Sequence, residues 1–156
     1  MTTYRGKMRW RGGVQRPVFL APLAAADINM GDLVCQWIDG QSIVPAYYFA
    51  DQAARAKRCV GVATVCSGVG FDLPIRVQTA GMYAFERLVD GKYVANQVAI
   101  MAQTVPARER CCTIVSGTNP AFSVGTILKT QIEFGGHDYV LIDLIPQCLM
   151  APELER

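Results

Sequence analysis

The chain has 156 residues, enough for one domain with a sizeable core. It is 51% hydrophobic and only 18% charged, which is apolar-rich for a soluble monomer and sends part of the apolar surface to a subunit interface. The net charge of +2 hides an asymmetry: Arg5, Lys7, Arg9, Arg11 and Arg16 put five cations and no acid into residues 1–16, while the rest carries ten bases and thirteen acids.

Residues 1–16 read as a basic arm, loosened by Gly6, Gly12 and Gly13 and anchored by Tyr4 and Trp10. No secretory leader is expected, because Pro17, Pro22 and Asp27 interrupt the one candidate apolar stretch. Arg16 to Leu20 suits an edge strand. Leu33 to Ile38 and Gln41 to Val44 flank Asp39-Gly40, the signal of a hairpin. Asp51 to Arg58 is the convincing helix: Asp51 as N-cap, three alanines inside, Lys57 and Arg58 at the C-terminal end.

Cys59 to Val65 follows as a central strand and Ser67 to Gly70 as a turn. Leu73 to Thr79 alternates, with Leu73, Ile75 and Val77 on one face and Arg76 and Gln78 on the other. Met82 to Leu88 continues to a turn at Val89 to Lys92, then strands at Gln97 to Met101 and Cys112 to Val115. Thr126 to Phe134 and Tyr139 to Ile145 form a closing hairpin around Gly135-Gly136, before a tail at 147–156. Turn signals about every ten residues indicate an all-β sandwich or barrel. One phrase recurs at strand openings: Met30-Gly31-Asp32-Leu33-Val34, Val94-Ala95-Asn96-Gln97-Val98 and Val124-Gly125-Thr126-Ile127-Leu128. The longest uncharged run, Cys111 to Leu128, contains Gly117, Asn119, Pro120 and Gly125, so no membrane helix is expected.

Candidate chemistry is thin. Six cysteines without CxxC spacing, and a single histidine, do not make a structural zinc site. Without a leader, reduced and buried is the better reading of the thiols. His137 beside Asp138 invites a cysteine–histidine hydrolase or transferase, but Gly135 to Asp138 reads more simply as a turn that points His137 to water. The vicinal Cys111-Cys112 pair reads as packing, one side chain on each face of a strand. Gly68-Val69-Gly70 and Gly135-Gly136 lack a phosphate-loop frame. The functional signal is the arm: Tyr4, Arg5, Lys7, Arg9, Trp10, Arg11 and Arg16 suit an acidic protein surface better than nucleic acid, because the body shows no basic patch.

Gly31-Asp32-Leu33-Val34, the helix Asp51 to Arg58, and Val60-Gly61-Val62-Ala63 are together similar to the capsid decoration (cement) proteins of tailed bacteriophages. The segments Leu73 to Gly81 and Tyr93 to Ile100 follow in similar order, and the resemblance spans about residues 17–146. The chain departs from the pattern at Asn96-Gln97, where a second Gly-Asp turn is expected. The resemblance implies a small β-barrel or β-tulip-like sandwich with one short helix, an extended arm at 1–16, a body at 17–146 and a tail at 147–156. It also implies a virion structural protein on the capsid surface, a homotrimer bridging major capsid protein subunits, with no catalytic residue, cofactor or metal. A cysteine-dependent hydrolase or transferase and a β-barrel adaptor or carbohydrate-binding module are the alternatives.

Overall fold

The structure is a computed structural model that describes residues 9–12, 17–71, 73–88, 91–103 and 112–148. It is all-β. The strands, in chain order, are β1 (Arg9–Gly12), β2 (Pro17–Leu20), β3 (Leu33–Gln36), β4 (Ile43–Pro45), β5 (Cys59–Ala63), β6 (Ile75–Gln78), β7 (Gly81–Glu86), β8 (Val98–Gln103), β9 (Cys112–Gly117), β10 (Gly125–Phe134) and β11 (His137–Leu144). One α-helix, α1 (Gln52–Arg58), lies between β4 and β5, and a 3₁₀ turn (Pro120–Phe122) between β9 and β10.

Two antiparallel sheets are built on the same plan. One runs β2-β6-β5-β3-β4 and the other β1-β7-β11-β10-β8-β9. If β1 is set aside, each sheet uses five consecutive strands in the spatial order first, fifth, fourth, second, third. The repeat extends to the turns that open the second strand of each unit. Gly31 has φ +93° and Asn96 has φ +70°. Gly31 N donates to Ala63 O at 2.8 Å while Ala63 N donates to Asp32 O at 3.0 Å. In the other unit Asn96 N donates to Ile127 O at 2.8 Å and Ile127 N to Gln97 O at 2.9 Å. Asn96-Gln97, the apparent departure, therefore takes the part of Gly31-Asp32; asparagine is among the few residues that tolerate the left-handed region. The third phrase is different: Gly125 already lies in β10, where a Cβ would collide with the Asp143 carbonyl oxygen across the ladder.

Neither sheet closes into a barrel, which corrects that part of the expectation. Irregular chain joins the edges instead. Ile43 N donates to Ala21 O at 3.0 Å and Leu23 N to Ile43 O at 2.9 Å, carrying the chain beyond β2 across to β4. In the second unit Thr113 Oγ1 donates to Glu86 O at 2.9 Å, and Ser116 N to Lys92 O at 3.1 Å, carrying the chain beyond β7 across to β9. These contacts are too few to extend the ladders around the circle.

There are two cores. One collects Leu33, Cys35, Cys59 and Val62 from the first sheet, Ala56 from α1, and Tyr83, Phe85, Met101, Ile114, Ile127, Val140 and Ile142 from the second. The other gathers Leu20, Val34, Val44, Val60, Ala63, Ile75 and Val77 under Ala26 and Ile28. β3 thus faces apolar surroundings on both sides, which is why Leu33-Val34-Cys35 is continuously hydrophobic. Along β5 the alternation is broken by a bulge: Val34 opposes Gly61 and Cys35 opposes Cys59, leaving Val60 unmatched. The extra residue lets Cys59 and Val62 enter the same core while Val60 and Ala63 enter the other.

Most elements fall where sequence pattern puts them. The Asp39-Gly40 hairpin is closed by Trp37 N to Ser42 O at 2.8 Å, and Asp39 Oδ1 accepts from Gln41 N and Ser42 N at 2.9 and 2.8 Å. Asp51 caps α1, its Oδ2 accepting from Ala54 N at 3.2 Å. Three details differ. Leu73 lies before β6 and is exposed, whereas Gln78 is buried where β6 meets both β2 and β5. His137 opens β11 opposite Phe134 rather than sitting in the turn. Part of the expected arm, Arg9–Gly12, is a strand paired with β7. The turn expected at Val89 to Lys92 falls partly outside the described residues.

Candidate interaction surface

The N-terminal stretch runs alongside the β6–β7 ribbon in one direction. Arg9 opposes Ala84, Trp10 opposes Tyr83 and Gly12 opposes Met82; then Pro17 opposes Gln78 and Leu20 opposes Ile75. The segment is thus the edge of both sheets in turn. Pro17 suits an edge, since it has no N–H to offer a ladder. Of the arm residues, Arg9, Trp10 and Arg11 are placed by their backbone in β1, at the rim of the second sheet. Tyr4, Arg5, Lys7 and Arg16 lie outside the described residues, as does Cys111.

A second surface was not singled out from sequence. After β5 the chain makes a loop, residues 64–74, laid against residues 24–31. Ser67 and Ile28 exchange backbone bonds at 2.8 and 2.9 Å, Gly70 N donates to Ala24 O, and Met30 N reaches Cys66 Sγ at 3.4 Å. This lashed loop turns large apolar side chains outward: Val69 is 73% exposed and Leu73 62%, with Met30, Val65 and Phe71 beside them. Exposed apolar residues grouped in this way are a feature that contact surfaces share. Ser67 to Gly70 was legible as a turn, but Leu73 was read into the strand that follows, and Met30 comes from elsewhere in the chain.

Cys35, Cys59 and Cys148 occupy a different environment. Cys35 and Cys59 are opposed across β3 and β5, fully buried, and Cys148 N donates to Cys59 O at 3.2 Å. Burial pushes the Cys35 thiol well up, and the neighbouring thiols add to this. Burial likewise pushes Cys59 up to about 12, and raises Cys148 against the opposing effect of Arg58. Thiols held protonated in this way are poor nucleophiles. Cys35, Cys59, Cys66, Cys112 and Cys148 form no disulfide.

Arg55, only 3% exposed, ties this region together. Its Nη1 donates to Phe49 O at 2.6 Å and its Nη2 to Met101 O at 3.1 Å, joining α1 to β8 of the other sheet. Cys35 Sγ donates to the Arg55 carbonyl at 3.6 Å. A cation buried on carbonyl oxygens serves the fold. His137 Nδ1 lies 3.2 Å from Glu86 Oε2 on the neighbouring β7, a cross-strand contact. Among the described residues no group of three His, Cys, Asp or Glu side chains could hold a metal ion, and no helix is long and apolar enough to cross a membrane.

Comparison of the chain with protein-family models, with curated proteins and with solved structures finds no match.

Proposed function

We propose that this chain is a non-catalytic structural protein of the capsid-decoration kind, which self-associates as a trimer and bridges neighbouring major capsid protein subunits from outside the shell. The observation that carries the reading is the lashed loop at 64–74, with Val69 and Leu73 turned outward. A loop held by backbone bonds at both ends presents apolar surface with little ordering entropy left to lose. Self-association would cover it, and the basic N-terminal edge would then face an acidic partner surface. The protonated, buried thiols support a non-catalytic role. Binding only the assembled shell would stabilise that shell by mass action, and many modest contacts repeated around it would add through multivalency. No cofactor enters the reading, and the site of action is the virion surface.

The test is co-sedimentation of purified protein with expanded capsid shells, with light scattering on the free protein. Saturable binding to shells and a free trimer are expected. A free chain that scatters as a 17.1 kDa monomer and stays in the supernatant with every shell offered would overturn the reading.

A further inference from the structure

β1 is an addition to a unit that is complete without it. Both sheets share one five-strand plan, and β1 lies outside that plan, bonded among the described residues to β7 alone. Its register slips between Trp10 and Gly12. β2 is held independently of β1: it pairs with β6 along its whole length, and Leu20 is 1% exposed in the core. In the sequence Gly12-Gly13 follows β1, and a glycine pair lets the backbone change direction at low steric cost. Without β1, β7 would present open ladder groups beside Met82, Tyr83, Ala84 and Phe85. An open apolar edge of that kind accepts any strand offered in register.

We propose that the outer edge of β7 is a strand-acceptor site, and that in the assembled protein it takes residues 9–12 of a second copy of this chain. The occupant is indicated by what sits there. A neighbour's arm offers the same four residues in the same antiparallel register, so exchange sacrifices no ladder bond. The exchange rests on the self-association reading for its partner; the acceptor edge does not.

Two measurements separate these parts. In the full-length chain, Trp10→Pro/Arg11→Pro removes both adjacent N–H groups, so β1 cannot pair whichever one donates. This chain should bind a synthetic peptide of residues 1–16 saturably, and the same peptide carrying both prolines about tenfold more weakly. Equal binding of the two peptides would overturn the acceptor edge, whatever the oligomeric state. For exchange, a chain with Arg9→Cys is mixed with a mass-tagged chain with Ala84→Cys, the two positions being opposed across the strands. A disulfide joining tagged to untagged chain, absent when either cysteine is omitted, is expected. Cross-linking only when both substitutions are on one copy would show that the arm never leaves its own β7.

Discussion

At single positions, space decides more than composition. Gly61 sits in the β5 bulge, where a Cβ would collide with the Gln78 carbonyl oxygen of β6, a backbone atom that cannot swing away. Gly61→Ala should destabilise by about 3 kcal/mol, as overpacking against backbone does. Gly68, in the surface loop, has nothing within 4 Å of the same atom. Gly68→Ala should be neutral or stabilising by about 0.5 kcal/mol, through the unfolded chain. Urea melts of both variants check the contrast, and similar losses would mean that the bulge relaxes.

The buried thiols carry a pH dependence. Cys59 moves from 9.0 to about 12, and burial moves the Tyr83 phenol from 10.0 to about 12. Both stay protonated in the folded state where the unfolded state ionises. Their stabilising contribution is thus whole below about pH 9 and is lost as pH rises towards 12. The thermal midpoint should hold level to about pH 9 and then fall, less steeply in Cys59→Ala. Thiol labelling at neutral pH should reach exposed Cys66 well before Cys35 or Cys59. Simultaneous labelling of all three would show that the core opens readily.

Elements here depend on their ends. α1 has seven residues, too short to stand by propensity, and relies on the Asp51 cap and the Arg55 tether. Asp51→Ala should cost about 1 kcal/mol, and Asp51→Asn much less, since the amide oxygen still accepts from Ala54 N. Denaturant midpoints of the two variants check this, and equal losses would point to the carboxylate charge instead of the bond. The β10–β11 hairpin turns at Gly135 and Gly136, with φ +61° and +82°, the paired positive values that a two-residue turn needs. Much of this was legible: Asp39-Gly40, Gly135-Gly136 and Asp51 each announce a local geometry through local chemistry. His137 and Asp138 were read into the turn, but a two-residue turn ends at Gly136 and leaves both to the strand.

For the molecule as a whole, the proposed partner contact should depend on salt through the N-terminal basic residues. Deleting residues 1–16 leaves β2 and both five-strand units intact, since Arg9–Gly12 contribute only an added edge. The truncated protein should stay folded, bind shells more weakly and lose most of the salt dependence of the full chain. Circular dichroism with co-sedimentation at low and high salt checks it. Equal shell affinity in both chains at both salts would remove these residues from the contact.

The sequence by itself determined the all-β class, the hairpins, the capped helix and the uneven distribution of charge. These follow from period-two patterning, from turn residues and from composition, all of which act over a few neighbouring positions. Only the tertiary structure decided that the two sheets repeat one plan, because strand order is a matter of which distant edges meet. It also decided that β1 is a paired strand, that Asn96-Gln97 does the work of Gly31-Asp32, and that Val60 is the extra residue of a bulge. In each case the deciding contact joins residues far apart in the chain: Arg9 with Ala84, Asn96 with Ile127, Val34 with Gly61. Pairings over such separations are fixed by the burial and backbone bonding of the whole molecule, and no local pattern encodes them.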